Sequence, residues 1–308
     1  MKKLAMTAIA AAAVLGAGAA HAYTLGTVSN GFVVPNVIKE ANGATTSVGI
    51  INHGTTSVPV YWTFFDQDSG HVADGCFLLT AKDFEPFVWS EKAGLGMDGY
   101  RGYLVFATGN TTGTPACTTS QLGVGDGLIS GSAFYVDPVA KDVAFTPVID
   151  GPLTIAPTTN LSLLGPLDLT AVAGAAQVPV GAGAATPSFA LRYYIDNVAG
   201  GTDTNIVVWS TGDHSGTYTV FMYDTEQNRR SVNLKLDRTE LDWFNPETIV
   251  GRPLDFTDGF FEWQPAVVPT GAPATGSLVA LGGSLFTYSV ISAPAFGAVQ
   301  TLLGAHTN

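Results

Sequence analysis

The sequence predicts an all-β protein: two tandem, duplicated β-sandwich domains behind a signal peptide. Three observations carry that reading. Only 12% of residues are charged, while 46% are hydrophobic and 36 are glycine, the balance of a chain made of short apolar strands and tight turns. Turn signals recur every 8 to 14 residues, and helix-period segments are nearly absent after residue 22. The chain also resembles itself: shifted by 158 positions, Thr45–Asp66 falls without gaps on Asp203–Asp224.

The first 22 residues, MKKLAMTAIAAAAVLGAGAAHA, have the three parts of a secretory signal. Lys2 and Lys3 give the basic start, Leu4 to Leu15 the apolar run, and Ala20-His21-Ala22 the small residues of a cleavage point before Tyr23. That run is shorter than the roughly 20 residues a spanning helix needs, so no transmembrane segment is expected in the mature chain. The charged start and Ala-rich core are of the Gram-negative kind, and no cysteine follows the cleavage point to carry a lipid. Removing the two lysines from 13 basic residues leaves 11 against 25 acidic, a net charge near −14. Nucleic acid and anionic membranes are poor partners for such a chain. The expected location is the periplasm, the cell surface or the medium. In an oxidising compartment Cys76 and Cys117 have only each other, and a disulfide closing about 40 residues is worth roughly 3–4 kcal/mol.

The repeat orders the elements. Domain one is expected at 23–150 and domain two at 188–308. Thr46–Ile51 and Val58–Phe65 are β-branched or aromatic runs either side of a Gly-centred turn, and Phe87–Trp89 and Gly102–Ala107 follow. Ile206–Trp209, Tyr218–Tyr223, Ser231–Leu236 and Phe260–Trp263 repeat the series. Other blocks keep their order: Phe32–Lys39 on Ala190–Asn197, then Phe77–Phe87 on Leu234–Phe244 and Gly102–Phe106 on Gly259–Trp263 at a shift of 157. Gly131–Val136 resembles Gly283–Tyr288 at 152, and Ala295–Leu303 suits one or two helical turns. Short strands at this spacing favour immunoglobulin-like sandwiches over α/β units. An outer-membrane barrel would need longer alternating strands and an aromatic last residue, whereas this chain ends Ala305-His306-Thr307-Asn308. Residues 151–187 hold one charge, Asp168, and are more apolar than a flexible linker. They are expected to lie across the domain contact or to donate a strand to a neighbour.

FFDQDSGH (64–71) aligns with MYDTEQNR, sharing acid–x–acid–x–(Gly or Asn). Gly70 and Asn228 supply the residue that takes positive φ, which is hairpin chemistry. A calcium loop through Asp66 and Asp68, with Asp74, is the weaker alternative, because about six oxygen ligands are needed and the EF-hand spacing is missing. No other cofactor is expected.

Catalytic signals are poor. His53, His71, His214 and His306 hold no common register between the copies, and nucleophile-elbow, P-loop and dinucleotide motifs are missing. Asp83/Glu85 and Glu240/Asp242 occupy matching places and read as solubilising acids on one face of an edge strand or loop. Trp62, Trp89, Trp209, Trp243 and Trp263 all fall in repeat blocks, where core packing is the ordinary role. One loop, Leu241–Pro246, mixes rings with a carboxylate and an amide, so Asp242, Trp243 and Phe244 are the candidate ligand-binding residues.

Blocks such as Tyr194-Ile195-Asp196-Asn197 and the run from Asn205 to Thr211 resemble uncharacterised secreted two-domain β-rich proteins of proteobacteria. That resemblance brings no function and no catalytic residue with it. The expected function is an exported, non-catalytic structural or cell-surface protein, a surface-layer, filament or adhesin-like subunit that associates with itself or with other surface components. A periplasmic or extracellular module for carbohydrate or another small ligand is the alternative, and a secreted hydrolase the second alternative.

Overall fold

A run such as Val58-Pro-Val-Tyr-Trp-Thr-Phe-Phe is apolar on both faces of the strand it forms, so it must be covered on both sides. The computed structural model covers it that way, and nearly all of its regular structure is β. It describes residues 25–307 except 95, 140, 166–167, 179–186, 197–200, 266–277 and 279–281; the expected signal peptide lies outside the described residues.

The first half forms β1 (Gly31–Ile38), β2 (Thr45–Asn52), β3 (Val58–Asp66), β4 (His71–Leu79), β5 (Phe84–Val88), β6 (Arg101–Thr108), β7 (Ile129–Asp137), β8 (Asp142–Thr146) and β9 (Ile149–Asp150). Three strands follow in the connecting segment: β10 (Leu153–Ile155), β11 (Leu169–Val172) and β12 (Ala176–Gln177). The second half forms β13 (Ser188–Tyr194), β14 (Asp203–Ser210), β15 (Gly216–Asp224), β16 (Arg229–Leu236), β17 (Leu241–Phe244), β18 (Asp258–Trp263), β19 (Ser284–Ala293), β20 (Ala298–Leu303) and β21 (Ala305–Thr307).

Sheet I has the order β4-β3-β6-β1-β9, and sheet II β5-β2-β7-β8. Sheet III runs β17-β14-β19, with β12 and β20 both on the far side of β19, and sheet IV runs β16-β15-β18-β13-β21. Strand for strand, the second half repeats the first. The register follows: Thr63 pairs with Val105 as Phe221 pairs with Glu262, and Val48 with Ala133 as Ile206 with Ser289. The last pair corrects the offset of the β7 block from 152 to 156. The order also departs from the immunoglobulin arrangement, in which the seventh strand joins the sixth. Here β7 joins β2 and β1 joins β6, so the first and seventh strands have exchanged sheets.

Three apolar clusters fill the spaces. One lies between sheets I and II around Trp89, Phe64 and Phe106, and one between III and IV around Phe189, Trp263 and Phe261. The third joins the halves: Tyr61, Phe65 and Tyr103 on the outer face of sheet I meet Trp209, Leu241 and Phe286 on the outer face of sheet III. Leu153, Ile155, Leu161, Leu164, Leu169 and Val172 of the connecting segment are buried in that third cluster. At roughly 1.5–3 kcal/mol for each large side chain taken out of water, this segment is core rather than tether. Gly31 is where it crosses β1, since a Cβ there would lie 2.6 Å from the Leu153 side chain and 2.3 Å from the Phe106 carbonyl oxygen. The strand it donates, β12, joins β19 of its own chain.

Cys76 and Cys117 form the disulfide, tying edge strand β4 to the loop between β6 and β7. The same loop is pinned by Tyr61, whose hydroxyl donates to the Thr118 carbonyl at 2.9 Å, and by Asn160, whose amide donates to the Thr119 carbonyl at 2.6 Å. Two expectations change. Ala295–Leu303 is a 3-10 turn at Pro294–Phe296 followed by β20, because Ala298–Leu303 pairs in unbroken register along β19. The strand expected at Phe87–Trp89 is β5, and Trp89 instead opens one short helical turn as a buried anchor.

Candidate functional site

The turn of FFDQDSGH is built by Asp66, whose Oδ1 accepts from the backbone N–H groups of Asp68 and Gly70 at 3.0 and 2.7 Å. Asp224 does the same for Glu226 and Asn228 at 2.9 and 2.8 Å. Positive φ falls one residue earlier than expected, on Ser69 and Gln227. Asn228 instead donates its side-chain amide to Asp224 Oδ2 at 2.8 Å, and Gly70 leaves room for the Asp66 carboxylate, which a Cβ would meet at 2.8 Å. In the first copy the hairpin also reaches the second half. Gln67 O accepts from the N–H groups of Glu240 and Leu241, and Asp68 accepts from the Arg238 guanidinium at 2.7 Å and from Thr239 N at 3.2 Å. Asp66 Oδ1 and both oxygens of Asp68 are therefore engaged, Oδ2 of Asp68 by a cation, while Asp74 lies 3.2 Å from His71.

Behind this clamp the matching acids part company. Asp83 is half-buried near the surface and closes its own turn through Thr80. Glu240 and Asp242 are only 3% and 7% exposed, so in the second copy they are not solubilising acids. The Tyr103 hydroxyl donates to Glu240 at 2.8 Å, and Ser69 Oγ lies 2.7 Å from that hydroxyl, a chain from one half into the other. Burial pushes the Glu240 carboxyl up to about 7 against the bonds from Ser69 and Tyr103, and pushes the Tyr103 phenol well above its ordinary value. Asp242 is 3.0 Å from His214 Nε2, and His214 Nδ1 is 2.7 Å from Ser210 Oγ. The residue types are those of a hydrolytic triad, but Ser210 and His214 are wholly buried and the hydroxyl donates to the Gly212 carbonyl. A serine that cannot meet substrate is no nucleophile. The trio ties a turn together, as Asn52 alone does in the first half with the carbonyls of Thr56, Leu79 and Thr80.

The open chemistry lies beside these residues, along the seam between the halves. Pro35 has no N–H for the ladder, and the register of β1 on β6 slips between Val34 and Val37. Asn36, in that slip, accepts from Arg101 Nη1 at 2.6 Å. The guanidinium carbon stands 4.1 Å from the ring centre of Trp243, a cation–π contact across the seam. Arg101 and Trp243 line two clefts at once. One, of about 220 Å³, is closed by β8 and β20 and also contains Glu40 and Tyr288. The other, of about 540 Å³, runs toward Arg238 and Phe244. Of the expected ligand residues, Trp243 and Phe244 are half-buried at these clefts; Asp242 also borders the larger one but is nearly buried, its carboxylate committed to His214. Arg101, Asn36 and Tyr288 carried no signal in the sequence, since a bulge and a contact between halves bring them together.

None of the described helices is long and apolar enough to cross a membrane, and the disulfide fits an oxidising compartment. No family model, curated protein or solved structure matches the chain.

Proposed function

We propose that the protein is an exported, non-catalytic structural subunit, two duplicated β-sandwiches that add further copies head to tail. The observation that carries this is the contact between the halves. It joins unlike surfaces, the outer face of sheet I to the outer face of sheet III. The two remaining outer faces belong to sheet II, the counterpart of III, and sheet IV, the counterpart of I. Ile51, Phe84 and Phe134 on sheet II stand where sheet III has Trp209, Leu241 and Val290. Tyr223 and Phe260 on sheet IV stand where sheet I has Phe65 and Tyr103. Phe84 is 56% exposed and Phe260 37%, so both terminal faces offer rings at positions that the internal contact buries. A contact between unlike faces adds copies head to tail, and extends into a filament or layer wherever its rotation does not close into a ring. Light scattering and electron microscopy of the chain from Tyr23 onward test this, with and without calcium. Mass should grow with concentration into ordered assemblies, and Phe84→Lys with Phe134→Lys should return a folded monomer. A wild type that stays monomeric at high concentration overturns the proposal.

A second reading, a small-ligand module, is favoured by the cleft that both halves build around Arg101 and Trp243. The hydrolase reading gains nothing from Ser210, His214 and Asp242, which are buried and committed to one another.

A further inference from the structure

We propose that the smaller seam cleft binds a small molecule bearing one carboxylate, received by the Arg101 guanidinium and the Tyr288 hydroxyl. This rests on the small-ligand reading and is independent of assembly.

Arginine has five N–H donors in a planar fork that matches a carboxylate. Among the described residues the guanidinium of Arg101 makes one hydrogen bond, to the Asn36 amide oxygen, and touches no carboxylate. Trp243 covers it from one side and Asn36 holds one end, so the fork is already oriented before any ligand arrives. Burial lowers the basicity of Arg101 from its ordinary value, the mark of a cation taken out of water without a bonded anion. Tyr288 is 1% exposed and lines the same cleft. Asn36 and Arg101 both stand close to its hydroxyl, and the contact with the Asn36 amide falls short of full hydrogen-bond geometry, so the hydroxyl has no well-formed partner. A buried hydroxyl without a partner is unfavourable, and a carboxylate oxygen beside Arg101 would relieve it.

The charge and size of the cleft narrow the ligand. Glu40 faces Arg101 through space, so the cleft is near neutral and suits a monocarboxylate better than a phosphate dianion. The same Glu40 could take an ammonium group on the ligand. Phe145, Val290 and Val299 give the opposite wall for an apolar or ring body. A volume of about 220 Å³ is below the roughly 300–1,000 Å³ of drug-sized sites, which limits the ligand to one ring or a short chain. Neutral sugar stacking is disfavoured, because the Trp243 face that looks into the seam already carries the guanidinium.

The test is isothermal titration of the full mature chain with acid and neutral pairs: glucuronate and glucose, benzoate and benzyl alcohol, alanine and alaninamide. The acid of at least one pair should bind about tenfold or more tighter than its neutral partner, with a change in tryptophan emission. Arg101→Lys keeps the charge but not the fork and should weaken that binding about tenfold. Tyr288→Phe should weaken it several-fold without lowering the thermal midpoint, because the hydroxyl it removes has no well-formed partner. Equal affinity for acid and neutral members, or an Arg101→Lys variant that binds as wild type, overturns the carboxylate proposal while the small-ligand reading stands. Binding by no member of any pair overturns both.

Discussion

Replacing Glu240 by Gln tests the seam most directly. The carboxyl titrates at about 7 in the folded chain against an ordinary 4.5, because burial opposes its charge more than Ser69 and Tyr103 support it. The folded state therefore holds a proton that the unfolded state has released between those two values. Its contribution is fully present below pH 4.5 and is lost as pH rises to about 7. At 1.36 kcal/mol per unit the loss is about 3 kcal/mol, an order-of-magnitude figure. Gln keeps the shape and an oxygen for the Tyr103 hydroxyl but cannot ionise. Urea unfolding from pH 4.5 to 8.5 should show wild type losing about 3 kcal/mol relative to Glu240→Gln, nearly all of it below pH 7.5. Parallel curves for the two proteins would refute the argument, since every other titrating group is common to both.

Three further outcomes follow from the packing. Cys76→Ser with Cys117→Ser should lower stability by roughly 3–4 kcal/mol, given a separation of 41 residues, read as a shift in the urea midpoint. Leu161→Ala should cost about 2–5 kcal/mol by the same assay, as for any buried core leucine, whereas a mere tether would lose almost nothing. Arg238→Ala removes an ion pair whose side chains are both 48% exposed, so calorimetry should find a loss within about 1 kcal/mol, and less in high salt.

Some of this was legible in the sequence and some was not, for physical reasons. Val58–Phe65 and Tyr218–Tyr223 read as strands because alternation and β-branching are local signals, and the 158-residue offset is kept in the register of β2 with β14 and of β3 with β15. His71–Leu79 is not legible as a strand: it lies at a sheet edge, and its middle, Ala73-Asp74-Gly75-Cys76, lacks the β-branched and aromatic residues that mark the other strands. The β7 offset slipped by four because Gly131-Ser132-Ala133-Phe134 and Gly283-Ser284-Leu285-Phe286 look alike while different residues of the two strands sit opposite β2 and β14. Trp243 was found by its company of rings and polar groups. Glu240 was misread because nothing in Arg238-Thr239-Glu240-Leu241 says that Ser69 and Tyr103 will bury it.

The central cluster also sets an order on folding. Sheet I can form once β9 has been made, but its outer face meets its cover only when β14, β17 and β19 are present, the last beginning at Ser284. At about 5–20 residues per second, the 134 residues from Asp150 to Ser284 take about 7–27 s to synthesise. During that interval Tyr61, Phe65 and Tyr103 have only the connecting segment to shield them. A nascent chain halted within β13 or β14 is thus a half-finished body with an adhesive side, and a holding chaperone on that side would serve it until the second half arrives.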